Sequence, residues 1–341
     1  ASKPPSFSDW IFSESGDLHY VRDAGITTLN AGGGAIANEF VHNKKQDSID
    51  PYLDAQLGYS DSDKTEAHAD FSLHRRTVAN AAANTRIRSD DTLFGGRIQY
   101  LPTEKLGFRL IGSYADSNYI SPGFSDTHGY TIAINAVDFY SPKLKLLAGL
   151  AGGENWADAN PDVHLPGIRG ADIRYTIGAE GEIAPKVTAD TTIGVVQRQF
   201  RTGSHARTTT LYSDSRATWT ETEKRSWSLE ATQDFSVSAI DQSVRALGLF
   251  LSVNDLLAEK LTLQAAAGFE RSNYLSLGGT GSRTDSGPAA RARLTYQVND
   301  ATTLEIFSTY RDNASSSDNY SEAQLAHFSR FTFGAGLSSR F

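Results

Sequence analysis

The chain has 341 residues, a formal net charge of −8 and 39% hydrophobic residues, with a mean hydropathy of −0.38. No stretch approaches the ~20 apolar residues of a spanning helix. Cysteine is absent, which excludes a disulfide framework and thiolate metal sites, and the scattered Lys and Arg form no basic patch for nucleic acid.

Methionine is absent too, and a chain starting at Ala1 is expected to follow removal of a leader; freedom from cysteine suits passage through an oxidising periplasm. Residues 1–25 carry Trp10, Ile11, Phe12 and Tyr20. They read as a periplasmic N-terminal segment, either a plug or a tail that docks a partner. From residue 26 to residue 341 the pattern changes to strands. Over 65–78, Ala67, Ala69, Phe71 and Leu73 share one face, and His68, Asp70, Ser72, His74 and Arg76 share the other, the period of two that a strand imposes. Ile173, Tyr175, Ile177 and Ala179 oppose Arg174, Thr176 and Glu180; Leu261, Leu263, Ala265, Ala267 and Phe269 oppose Thr262, Gln264 and Glu270; Ala290, Ala292, Leu294 and Tyr296 oppose Arg291, Arg293 and Thr295. The segment 207–220 is the weakest strand candidate. The chain closes with Phe331, Phe333, Ala335, Leu337, Ser339 and Phe341 on one face of a strand and Arg330, Thr332, Gly334, Gly336 and Arg340 on the other.

Turn residues fall at 61–64, 102–105, 141–143, 184–186, 221–224, 254–259 and 298–301, rich in Asp, Asn, Pro and Ser, which bond their own backbone or preset φ. Their spacing of about forty residues fits one hairpin per interval. The connections between them, such as 43–47, 158–170, 278–287 and 312–322, are longer and polar. Short turns on one rim and longer loops on the other predict an all-β transmembrane antiparallel up-and-down barrel of about sixteen strands, the short turns facing the periplasm. Small residues and Leu on the apolar faces suit lipid better than a second sheet. Tyr59, Tyr100, Tyr140 and Tyr296 beside turns, with Tyr114, Tyr274 and Tyr310 toward loops, suggest two interfacial girdles. Closing the sheet would satisfy every edge.

A barrel of that width has a lumen too large for side chains alone to fill. The lumen-lining candidates are Arg97, Arg109, Arg174, Glu180, Glu182, Arg291, Arg293, Glu305, Arg311 and Arg330. They carry both signs. This suits either a water-filled pore for hydrophilic solutes or a wall of satisfied charge pairs. Arg291 and Arg293 on one face are the candidates for a selectivity filter.

No catalytic site, cofactor or metal is expected. His68, Asp70, Ser72 and His74 hold the residue types of a relay, but same-face neighbours on one strand stand about 7 Å apart, too far for proton transfer without partners from another strand. Gly278–Gly281 lacks the helix of a phosphate loop. Asp61-Ser62-Asp63 lacks the downstream glycine and glutamate of a calcium loop.

Phrases such as Asp-Thr-Leu-Phe-Gly-Gly-Arg-Ile-Gln-Tyr at 91–100, followed by Leu-Pro-Thr-Glu-Lys-Leu at 101–106, together with the ending 331–341, resemble the β-barrel porin type 2 family of Gram-negative outer membranes over roughly residues 26–341. The resemblance implies a non-enzymatic outer-membrane channel in contact with outer-membrane lipids. It passes hydrophilic solutes or, as in some relatives, a secreted exopolysaccharide handed over by a periplasmic export protein. The alternative is a plugged barrel that docks a periplasmic or surface partner. The resemblance also implies an assembly signal read by the barrel-assembly machinery, comprising Phe341, Ser339, Leu337 and Phe333. It supplies no catalytic residues.

Overall fold

The computed structural model describes residues 8–62, 64–80, 85–202, 206–240, 242–275, 282–317 and 327–339. These form β1 (Ile11–Asp23), β2 (Thr27–Phe40), β3 (Ser48–Ser62), β4 (Thr65–Asn80), β5 (Thr85–Tyr100) and β6 (Leu106–Tyr119). There follow β7 (Thr127–Ser141), β8 (Leu144–Ala157), β9 (Ile168–Ala184), β10 (Val187–Phe200), β11 (Arg207–Thr220) and β12 (Arg225–Ser238). The last five are β13 (Gln242–Ala258), β14 (Leu261–Leu275), β15 (Arg283–Gln297), β16 (Thr302–Ser317) and β17 (Phe328–Ser339). Every strand pairs antiparallel with its neighbour in the chain, from β1–β2 through to β16–β17. The result is one up-and-down meander, with two short 3₁₀ turns and no α-helix among the described residues.

β2–β17 are the sixteen strands expected after residue 26, including the weak candidate over 207–220. The seventeenth, β1, lies in the segment read as a tail. It pairs with β2 along its whole length, from Ile11 opposite Phe40 to Asp23 opposite Thr28. A tight reversal at Ala24–Ile26 joins the two, with Gly25 at φ 79°, a value glycine takes without the cost of a Cβ. That reversal lies on the short-turn rim, so β1 runs down from the longer-loop rim. Asp9 is therefore beside His42 and Asn43, at the end opposite the one the tail reading gave it. Its carboxylate accepts from the backbone N–H of His42 at 3.0 Å and of Asn43 at 2.9 Å. Burial works against the charge, but these donors hold the Asp9 carboxyl down at about 2. β1 was hidden because Glu14 and Arg22 interrupt the face that carries Phe12, Leu18 and Tyr20.

Register shifts occur at Ser60/Ser62, Phe139/Ser141, Val187/Thr188 and Leu256/Ala258. All four lie at the short-turn rim, where an extra residue sharpens the strand twist needed to reverse direction. The turn expected over 254–259 is displaced: β13 continues to Ala258 and the chain reverses over Glu259 and Lys260. Asn254 and Asp255 are strand residues, and Asp255 accepts from Arg225 Nη2 at 2.7 Å.

The two faces invert the pattern of a soluble protein. Phe331, Phe333 and Leu337 are 68%, 65% and 70% exposed, and Ile134, Leu150 and Ile177 are also turned outward. The opposite, concave face buries Gln99, Arg109, Asp172, Arg174 and Arg198. Trp219 and Trp227 are cross-strand partners beside the turn at 221–224, on the same outward face as Leu229, and Tyr59, Tyr100, Tyr140 and Tyr296 also stand near short turns. Tyr274, expected in the loop-side girdle, is instead 5% exposed and lies under the Arg283 guanidinium, 4.5 Å from the ring centroid.

The sheet curls until its ends approach. A cavity of about 1120 Å³ is lined jointly by Ile11 of β1, Ile36 of β2, Tyr52 of β3, His74 of β4, Arg86 of β5 and Arg330 of β17. An apolar exterior, a polar concave interior and a continuous antiparallel meander define a transmembrane β-barrel, in which the backbone groups of β2–β16 pair with the strands on either side.

Candidate functional site: the concave wall

Alternation places the long polar side chains of neighbouring strands side by side on the concave face, and curvature brings together strands that are not neighbours. On β4–β9 these groups satisfy one another. His68 Nε2 lies 2.5 Å from Glu66 Oε1, and Arg97 Nη2 donates to the same oxygen at 3.2 Å. Arg109 donates from Nε and Nη2 to Gln99 Oε1 at 3.1 and 2.8 Å, and Nη2 also reaches over β7 and β8 to Glu180 Oε2 at 2.8 Å. Lys145 Nζ reaches the other oxygen of Glu180 at 2.9 Å, and Lys143 Nζ meets Glu182 at 2.7 Å. His74 Nε2 is 2.8 Å from Asp54. The two histidines thus engage separate carboxylates, and Ser72 bonds neither, so the residues that suggested a relay do not assemble one.

A second network crosses from β9 and β10 to β12 and β13. β11 pairs with β12 only from Ser213 to Thr220, and past that point β8–β10 lean directly onto β12 and β13. Arg198 donates from Nε and Nη2 to the two oxygens of Asp172 at 2.7 and 2.6 Å. Its Nη1 donates to the Ser236 carbonyl at 3.0 Å and to Ser243 Oγ at 2.8 Å, and the guanidinium stacks 4.7 Å from the Phe235 ring centroid. Arg198 and Asp172 have fully buried side chains. Gly170 makes room for this arginine, since a Cβ there would lie 3.0 Å from its Cδ and Nε. Arg174 Nη2 reaches Asp234 at 2.9 Å and Asp172 at 3.7 Å. Ala157, Ile168 and Phe200 pack beside this lock with Val237 and Leu275.

The wall of β12–β17 differs. Arg293 Nη1 approaches Glu305 at 3.5 Å, Arg311 Nη2 meets Glu270 at 2.7 Å, and Arg216 Nη2 meets Glu230 at 2.6 Å. Arg291 and Arg330 have no carboxylate or hydrogen-bond partner among the described residues. They line one cavity of about 530 Å³ with Glu230, Glu270, Thr309 and Arg311. Arg291 also borders a second, of about 450 Å³, with Ser226, Ser228, Ser252, Asn254, Gln264, Arg293, Phe307 and Thr309.

The structure therefore places Arg97, Arg109, Arg174, Glu180, Glu182, Arg291, Arg293, Glu305, Arg311 and Arg330 on the concave side, but it brings them together in separate groups. Asp172, Arg198, Asp234, Gln99 and Lys145 were not singled out from sequence. Val196, Arg198 and Phe200 share a face in β10, and an arginine between two apolar residues was the available signal of a buried cation. Of the assembly-signal residues, Phe333, Leu337 and Ser339 lie in β17, and Phe341 falls outside the described residues, as do Gly278–Gly281 and Asp63. No group of three or more His, Cys, Asp or Glu suited to a metal occurs among the described residues.

The fold and its polar interior define a transmembrane β-barrel of the porin type. The sequence pattern of the family described as Putative beta-barrel porin 2 matches residues 108–327, and the chain belongs to that family. The match is narrower than the 26–341 span of the resemblance, and the 91–106 phrases and the 331–341 ending both lie outside it. No curated protein matches the sequence.

Among solved structures, the apoprotein form of the FrpB iron transporter of Neisseria meningitidis aligns with a TM-score of 0.56 at 10% identity, over 98% of this chain and 65% of that one. The ferric-catecholate import receptor Fiu of E. coli, in a closed form, aligns with a TM-score of 0.51 at 11% identity over 99% of this chain and 76% of that one. A point mutant of the ferric enterobactin receptor PfeA of Pseudomonas aeruginosa gives 0.50 at 7% identity over 95% and 69%. This chain spans about two thirds of the length of the FrpB structures. At such identities the likeness is one of fold.

Proposed function

We propose that the chain is a passive conduit in the bacterial outer membrane, non-enzymatic, with its short turns toward the periplasm and hydrophilic solutes moving along the polar concave face. One observation carries this reading: charged and amide side chains of fourteen neighbouring strands, β4–β17, turn inward while the apolar ones face out. A lumen lined by fixed charges offers a permeating solute hydrogen bonds in place of its hydration shell. The β4–β9 pairs and the Arg198 lock act as scaffold in this account, and the less satisfied β12–β17 wall is the face on which a solute travels. A secreted exopolysaccharide delivered by a periplasmic export protein is the larger cargo that the same wall would serve. β1 follows the sheet edge along β2, which argues against residues 11–23 acting as a plug inside the lumen.

The test is single-channel recording of purified, folded protein in planar bilayers. Discrete conductance steps that scale with salt concentration are expected. Folded protein that inserts and gives no steps overturns the reading.

A further inference from the structure

We propose that the β15–β17 wall holds a binding station for a hydroxylated monocarboxylate, a sugar acid, as the solute class of the channel; the inference rests on the conduit reading.

Around the 530 Å³ cavity, Glu270 is engaged by Arg311 at 2.7 Å and Glu230 by Arg216 at 2.6 Å, which leaves Arg291 and Arg330 on the same cavity with no anion of their own. The register explains why the protein does not neutralise them. Arg330 is the direct cross-strand partner of Arg311, and Arg291 faces Thr309 across β15–β16. Directly opposed like charges destabilise a sheet, so keeping Arg330 opposite Arg311 is a standing cost that a bound anion would relieve. Arginine keeps its charge at any working pH and presents a planar fork matched to a carboxylate.

The second observation concerns neutral groups. Along the same wall toward the short-turn rim, the 450 Å³ cavity carries Ser226, Asn254 and Gln264. Their side chains make no hydrogen bond to the protein among the described residues. Phe307 supplies a flat apolar surface beside them. Arg291 and Thr309 border both cavities. A ligand spanning the two thus meets unpaired cations at one end and free hydroxyl and amide groups beside a ring at the other. A carboxylate joined to a polyhydroxylated ring has that polarity. Simple anions use only the first half, and neutral sugars only the second.

Equilibrium dialysis of the detergent-solubilised barrel with radiolabelled glucuronate, glucose and acetate tests this without requiring an open pore, so its failure is distinguishable from failure of the conduit reading. Glucuronate is expected to bind at least about tenfold more tightly than glucose or acetate, since a hydrogen bond to a charged group contributes more than a neutral one. The Arg291→Ser/Arg330→Ser protein should lose at least about tenfold in glucuronate affinity. Arg97→Ser, on the opposite wall, should bind as the unaltered chain does. Retained heat-modifiable migration on gels certifies folding of each variant, and the single Arg291→Ser substitution serves if the double variant does not fold. Glucuronate binding no tighter than acetate or glucose, or binding unaffected by the Arg291 substitution, overturns the proposal.

Discussion

The buried lock between β9, β10, β12 and β13 gives a sharp energetic prediction. Asp172→Ala removes both acceptors of the Arg198 Nε and Nη2 donors, the acceptor of Asn155 Nδ2 at 3.2 Å, and the more distant of the two counter-charges of Arg174, at 3.7 Å. Arg198 keeps the Ser236 carbonyl, Ser243 Oγ and the Phe235 ring, none of which carries a negative charge. Breaking a buried ion pair from one side costs about 3–5 kcal/mol, chiefly because the remaining charge is left uncompensated. Removing both partners, as in Asp172→Ala/Arg198→Met with Arg198→Met as the remaining corner, eliminates that charge. The double variant should then be more stable than the Asp172→Ala protein, with a coupling of at least about 2 kcal/mol. Urea unfolding in phospholipid vesicles, followed by fluorescence of the strand tryptophans, measures all four corners of the cycle. Additive single and double effects, within about 0.5 kcal/mol, would refute the claim that this pair is a desolvated unit.

Phe333→Arg on the outward face of β17 should destabilise the barrel by about 2–4 kcal/mol in the same unfolding assay, the cost of an arginine at mid-bilayer depth; a neutral result would place that face away from lipid. At the longer-loop rim, Asp9 titrates lower in the folded chain than its ordinary value of 3.8, so its anchoring of His42 and Asn43 is complete above about pH 4 and fades as pH falls toward 2. Hydrogen exchange at those two amides should quicken over that window in the unaltered chain and be insensitive to it in Asp9→Asn. Deleting Phe341 should lower the amount of folded barrel in the outer membrane while leaving the conductance of the assembled fraction unchanged, as read by heat-modifiable migration and bilayer recording.

Period-two alternation made most of the barrel legible in the chain itself. It marked the faces of several strands, because each has one face in lipid and one in a polar interior, while the forty-residue spacing of the turns supplied the count of sixteen after residue 26, including the weak strand over 207–220. β1 escaped because Glu14 and Arg22 share a face with Phe12, Leu18 and Tyr20. The 254–259 turn was misplaced because Asn254 and Asp255, ordinary turn formers, have polar roles at a strand end: Asn254 lines the concave cavity, and Asp255, on the opposite face, is held by Arg225. Tyr274 was assigned to a girdle by type alone, whereas its parity places it with Thr262 and Gln264 inside. The charged residues of the wall could be assigned to a face from sequence, but their pairing could not. Arg109 meets Glu180 across two intervening strands, and Arg174 meets Asp234 across two more; only curvature supplies such neighbours. For the same reason the contrast between satisfied Arg97 and unpartnered Arg291 was invisible in the residue types.

The absence of cysteine from the whole chain allows the central claim, a water-filled interior bounded by a lipid-facing exterior, to be tested one residue at a time. Single cysteines placed at Ala290, Arg291, Ala292, Arg293, Phe307, Ser308 and Thr309 in vesicle-embedded protein would be exposed to a membrane-impermeant thiol reagent. The account predicts labelling at Arg291, Arg293, Phe307 and Thr309 and protection at Ala290, Ala292 and Ser308, a strict alternation on adjacent strands. Uniform labelling, or labelling of the alanine positions instead, would contradict it.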